Sequence, residues 1–249
     1  MADWRCTRRN RWGSTPIESK TFHSLAPFYP SSRPMNSSAQ PAFNARDIRG
    51  HIERHVGSIT QVFPGADGIE IVDAGPSERR PWHTLITCGM SAHRMSVPES
   101  EHDAPRYLEL MMTLPEDWKL DAGSLAEATW NWPITELTRL AGLPRVGDRW
   151  LGWGHAIPHG TPPAPYSADT KLCGVILAPS LLVKESFYEL HLDQHRVAFF
   201  SAIPLYREEL DLRGQRGMEV LLSKLIDNEI NDVVQLRRRN VAKKRFGWF

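Results

Sequence analysis

Residues Tyr107-Leu108-Glu109-Leu110-Met111-Met112-Thr113-Leu114 decide the architecture. Leu108, Leu110, Met112 and Leu114 fall on one face; Tyr107, Glu109, Met111 and Thr113 fall on the other. Successive side chains of a strand point to opposite faces, so the stretch reads as a strand, and Pro115 ends it. Upstream, residues 69–72 and 85–87 are two further short strands, punctuated by Pro64-Gly65 and Gly75-Pro76. Before them, Ile48, Ile52, Val56, Ile59 and Phe63 recur at helical spacing and predict a helix over 45–62. Between Met90 and Arg106 the chain is polar and carries Pro98 and Pro105, a loop of roughly fifteen residues.

Downstream, Asn131-Trp132-Pro133 opens a helix, with proline suited to the first turn. Ile134, Leu137 and Ala141 line its inner face, and Gly142 and Pro144 close it. Pro162-Pro163-Ala164-Pro165 reads as exposed and extended. Residues 172–177 are apolar throughout, as in a central strand. Residues 187–192 and 197–203 are two more strands, joined at Asp193-Gln194-His195. Arg207-Glu208-Glu209-Leu210 begins a short helix, and Met218, Leu221, Leu222, Leu225, Ile226 and Ile230 mark a terminal helix over 215–232. Helices and strands do not alternate strictly, so the class is α+β, a mostly antiparallel sheet flanked by helices.

The 249 residues suffice for one large domain, expected over 45–232. A net charge of +1 gives no bulk attraction to nucleic acid or membrane, and no apolar run is long enough to span a bilayer. Residues 1–44, with Arg5, Arg8, Arg9 and Arg11 and a Ser/Pro-rich run, read as a disordered extension. That stretch resembles a transit peptide, or upstream sequence before a start at Met35. Residues 233–249 read as a basic tail, and Arg237 to Arg245 as a solvated helix end rather than a nucleic-acid site. Cys6, Cys88 and Cys173 form no CxxC pair, and Cys88 and Cys173, each in an apolar run, read as two reduced core thiols of a cytoplasmic protein.

Chemistry-bearing motifs fail one by one. His155/His159 and His191/His195 have metal spacing but no zincin glutamate and no evident third ligand. No Gly-x-Ser-x-Gly elbow exists, and Cys88 ends an apolar strand, where a thiol is inert. Gly152-Trp153-Gly154-His155 lacks the Lys-Ser/Thr ending of a phosphate loop. No catalytic residue, metal or cofactor is expected. Trp118, Trp130, Trp132, Trp150 and Trp153 crowd one stretch, and Trp132 and Trp150 are assigned to the core.

Ordered blocks across 45–232 carry a resemblance. They are Ile86-Thr87-Cys88-Gly89-Met90-Ser91, Tyr107 to Pro115 with Trp118, Trp132-Pro133, and Trp150-Leu151-Gly152-Trp153-Gly154-His155-Ala156-Ile157-Pro158. Lys171-Leu172-Cys173-Gly174 and Pro204-Leu205-Tyr206-Arg207-Glu208-Glu209-Leu210 follow. Together they resemble the suppressor of fused family in its short, single-domain bacterial form. That resemblance implies an α+β sandwich without catalytic residues. Animal members grip a transcription-factor peptide between this domain and a second one, which has no counterpart here, so the same clamp is not expected. For the bacterial form the resemblance implies an immunity protein whose partner is a cognate polymorphic toxin. A regulatory scaffold, or a metal-dependent enzyme using His155, His159 or His191, are the alternatives. Glu99, Glu101, Asp103 and Tyr107, in the long loop and at the start of its strand, are the expected interface, facing a basic protein partner.

Overall fold

The computed structural model describes residues 44–192 and 195–243. The expected extension, apart from Asn44, lies outside the described residues, as do Asp193, Gln194, Lys244 and Arg245.

Helix α1 spans Ala45–His55, capped by Asn44, whose Oδ1 accepts the Arg46 N–H at 3.0 Å. The expected helix over 45–62 therefore stops early. The N–H groups of Val56 and Gly57 both donate to the Ile52 carbonyl and close it. Ile59–Pro64 instead forms strand β1. Residues four apart also share a strand face, so Ile59 and Phe63 satisfied either period. The ladder to the next strand decided between them, and an irregularity between Ile59 and Gln61 turns the two side chains toward different cores.

Next come β2 (Glu70–Ala74), β3 (Trp82–Cys88) and β4 (Leu108–Pro115). Helix α2 (Ala128–Gly142) precedes β5 (Ala156–Pro158), β6 (Leu172–Ala178), β7 (Glu189–Leu192) and β8 (His195–Tyr206). Helices α3 (Arg207–Arg216) and α4 (Met218–Asp227) follow. The sheet runs β1-β2-β3-β4-β8-β6-β5, with β7 also on β8. β4 and β8 pair in parallel and the other ladders are antiparallel, so the α+β reading holds.

The two faces of β4 enter two cores, as its alternation requires. Leu108, Leu110, Met112 and Leu114 pack with Leu137, Leu140 and Ala141 of α2. Tyr107 and Met111 pack with Ile48 and Ile52 of α1 and with Phe187 and Phe199. A third core sets Ile176, Ile203 and Leu205 against Met218, Leu221 and Leu225 of α4.

Four more expectations change. Helix α2 starts at Ala128, so Pro133 lies in its second turn, where it cannot supply the N–H that the Thr129 carbonyl would take. The helix expected over 215–232 is divided at Gly217, whose φ of 87° is left-handed and costs glycine little. Residues 160–163 form turns rather than an extended run, and the Ala164 N–H closes them on the His159 carbonyl at 2.8 Å. The basic end is not solvated throughout: Val234 is buried, its N–H donates to the Thr113 carbonyl, and Arg238 is 9% exposed.

Of the tryptophans, Trp118 and Trp132 are buried, and Trp132 stacks on Tyr166 at 4.4 Å. Trp150 is only partly buried, at the edge of the core, and meets His155 edge-on at 4.3 Å. Its place in an irregular stretch, outside any helix or strand, keeps it from the sheet interior.

Candidate functional site

Buried ionisable groups come first, because catalysis and metal binding draw on them. Glu109 is wholly buried on β4. Its carboxylate accepts from Thr87 Oγ1 at 2.5 Å, Ser91 Oγ at 2.6 Å, and the N–H groups of Ser91 and Gly89. Burial raises its pKa despite those donors. Gly89 adopts a φ of 123°, and a Cβ there would sit 3.0 Å from the Gly68 carbonyl oxygen. The group pins the turn after β3 to β4. Glu136 accepts two bonds from Arg139 at 2.7 Å and one from the Tyr166 hydroxyl at 3.0 Å, with His159 Nδ1 at 3.3 Å. Burial, then the Glu136 charge, holds the Tyr166 phenol well above its ordinary range.

Glu209, wholly buried, grips the nearly buried Arg238 in a bidentate pair of 2.6 and 2.7 Å. It also accepts the N–H groups of Tyr206 and Val241. The cluster fastens the C-terminal segment to the start of α3. In each case the carboxylate is spoken for by internal donors, the pattern of a structural network.

The candidate nucleophile and ligands are equally constrained. Burial and the Glu109 charge push the Cys88 thiol up to about 12, which keeps it protonated and unreactive. Burial, aided by Arg213, lowers His155 to about 4. His155 lies against Trp150 while His159 lies against Tyr166 and Glu136, so the two rings have separate surroundings. Among the described residues, no group of three or more His, Cys, Asp or Glu side chains is placed to hold a metal ion. No helix among them is long and apolar enough to cross a membrane.

The surface offers something else. A cleft of about 430 Å³ opens between the long loop and the β7–β8 hairpin, lined by Arg94, His102, Ala104, Arg106, Tyr107, His195 and Arg196. The parallel ladder builds it. Leu108 pairs with Ala198, and the Ala198 N–H donates to the Tyr107 carbonyl at 3.0 Å. That register brings 106–107 beside 195–197. The Met95 N–H then donates to the Arg106 carbonyl at 2.8 Å and folds the loop back over the same place, which puts Arg94 on the rim. Tyr107 and His195 form the aromatic wall, with ring centroids 4.5 Å apart.

The four expected interface residues divide. Tyr107 is buried on its outer side and lines the cleft. Asp103 sits just outside, 3.3 Å from His102, and its carbonyl accepts from Arg196 at 3.2 Å. Glu99 and Glu101 lie on a short 3₁₀ turn and do not line the cleft. Sequence reasoning missed Arg94, Arg106, Arg196 and His195. The available signal was Arg106 beside Tyr107 and Arg196 beside His195, two cationic steps entering strands. Their meeting depends on a parallel pairing across about ninety residues, which short-range patterns do not encode.

Comparison with known proteins follows the same lines. The family model described as "Suppressor of fused protein (SUFU)" matches residues 65–239. Among curated proteins nothing matches. Among solved structures, the chain is similar to a suppressor-of-fused homologue from Neisseria gonorrhoeae, with a TM-score of 0.56 and 11% identity. That likeness covers 80% of this chain and 97% of the other. It is also similar to a chain of the Sufu–Fu complex, with a TM-score of 0.55 and 17% identity, over 79% of this chain and 91% of that one. At these identities the structural likeness shows the shared fold. The family model covers well over half of the sequence, and the chain belongs to the suppressor of fused family.

Proposed function

We propose that this chain is a non-enzymatic protein-binding domain and, more specifically, an immunity protein that neutralises a cognate polymorphic toxin in the cytoplasm. The observation that carries the binding role is the contrast in how charge is deployed. The buried carboxylates of Glu109, Glu136 and Glu209 are consumed by internal donors, while the cleft beside Tyr107 is open and cationic. A site for chemistry would place a poised group in the cleft; a docking surface needs charge and shape. The similar chain in the Sufu–Fu complex, titled as a complex with a protein, supports a protein partner for this fold. The toxin reading rests on the resemblance to the short bacterial form.

Co-expression tests the proposal. Toxin genes flanking this gene are expressed with and without it in a sensitive host. Rescue of growth, with a complex that co-purifies, is the expected outcome. No rescue by this chain of any flanking toxin removes the immunity reading. Recovery of a housekeeping protein alone would move the assignment to a regulatory scaffold.

A further inference from the structure

The cleft gathers Arg94, Arg106 and Arg196 with His102 and His195, and among the described residues no carboxylate side chain lines it. Arg106 is oriented by a carbonyl and takes part in no ion pair among the described residues. Arg106 donates to the Val97 carbonyl at 3.2 Å, and Arg196 to the Asp103 carbonyl at 3.2 Å. A carbonyl fixes a guanidinium in place but leaves its unit charge uncancelled. Arg196 also has Glu189 at 3.4 Å. Neither Arg94 nor Arg106 takes part in an ion pair among the described residues. The Nδ1 atom of His195 is shielded and has no hydrogen-bond partner among them. Gathering like charge in a concave wall is costly in the free protein and favourable once an anion enters.

We propose that this cleft seats the acidic side chains of a protein partner, with Asp or Glu carboxylates held by the Arg94 and Arg106 guanidinium groups. The inference rests on the protein-binding reading and adds the chemistry of the partner. The expectation drawn from Glu99, Glu101 and Asp103 is a basic partner; the cleft beside Asp103 has the opposite sign. Planar guanidinium groups match carboxylates bidentately, and the Tyr107–His195 wall offers an apolar surface to the rest of the docking segment. The rim selects a protein over a nucleic acid. A phosphate backbone entering the cleft meets the exposed Asp103, which lies beside it next to His102 and Arg196 and repels it. A partner with acidic side chains flanked by neutral or basic ones meets no such barrier, and a basic flank would meet Asp103 favourably.

The test uses fluorescence anisotropy with a labelled hexaglutamate peptide at low ionic strength. A twelve-nucleotide oligo(dT) and inorganic phosphate serve as competitors. The wild-type chain should bind the peptide, and Arg94→Glu with Arg106→Glu should weaken it by about tenfold or more. Arg94→Glu alone, at an exposed position, should weaken it several-fold with an unchanged melting temperature, and it decides the matter if the double variant is unstable. Peptide binding unchanged by Arg94→Glu overturns the proposal. So does an oligonucleotide, or phosphate alone, that displaces the peptide stoichiometrically and binds the same arginines more tightly. Absence of peptide binding also overturns it while leaving the toxin-rescue experiment to judge the binding role separately.

Discussion

Arg238 and Arg94 stand at opposite poles of what one residue type does in this molecule. Arg238 is 9% exposed, clamped by Glu209, and donates further to the Pro204 and Arg239 carbonyls while lying over the Tyr206 ring. Arg94 is exposed on a cleft that, among the described residues, is lined by cations and no carboxylate side chains. The difference lies in what faces the guanidinium. A bidentate carboxylate in a dry setting turns an arginine into a structural staple; open cationic company turns it into a receptor. The composition of the basic segment, read alone, had assigned Arg238 to solvent.

That contrast can be broken at its strongest point first. Glu209→Gln leaves Arg238 buried without its counter-charge and should destabilise the fold by about 3–5 kcal/mol in urea unfolding. Replacing both partners with apolar residues should cost less than either single change, since neither charge is then stranded. A loss under about 1 kcal/mol for Glu209→Gln would mean that the C-terminal segment is not held by this pair.

His155 sharpens the comparison with a third treatment of a basic group, exclusion of its charge. Its pKa falls from 6.5 to about 4 on folding, through burial and then Arg213. A depressed folded value favours the neutral ring, so the stability it confers is present above pH 6.5 and is lost as pH falls toward 4. A shift of this size corresponds to about 3 kcal/mol. His51 and His55, also lowered by burial, act in the same direction. His155→Phe should flatten the fall in unfolding free energy between pH 6.5 and 4; an unaltered pH profile would show that this ring does not drive it.

At the cleft the stability effects should be small. Arg94→Glu should leave unfolding free energy within about 0.5 kcal/mol of wild type, as for other exposed positions, and act on binding instead. Smallest of all, reversing Glu99 and Glu101 to lysine should leave stability unchanged and alter mainly the association rate and its salt dependence. The sign of that rate change is informative. Faster capture of an acidic partner is expected here, whereas slower capture would restore the basic partner first inferred from the loop.

How much of this was legible depends on range. β4 was readable because its two residue sets enter two cores, so alternation survived even though both faces are buried. β2, β3, β6 and the start of α1 followed from short apolar runs and punctuation. Boundaries failed where one period imitated another, as with Ile59 and Phe63, or where a single glycine, Gly217, cut off the expected start of a helix whose apolar stripe begins only at Met218. The cleft was legible only through Tyr107. Arg94, Arg106 and Arg196 become neighbours through the Leu108–Ala198 register and the fold-back of Met95 onto Arg106, neither of which has a local signature. Arg238 was misread for the same reason, because its partner Glu209 lies in another element.

The central claim is that a protein partner docks through the cationic cleft while the buried Arg238–Glu209 staple serves the fold. Titration calorimetry with the product of a flanking toxin gene, comparing wild type with Arg94→Glu, tests it most directly. The account predicts a saturable complex that Arg94→Glu weakens several-fold with no change in unfolding midpoint. Equal affinity for both proteins, or no complex with wild type, would contradict it.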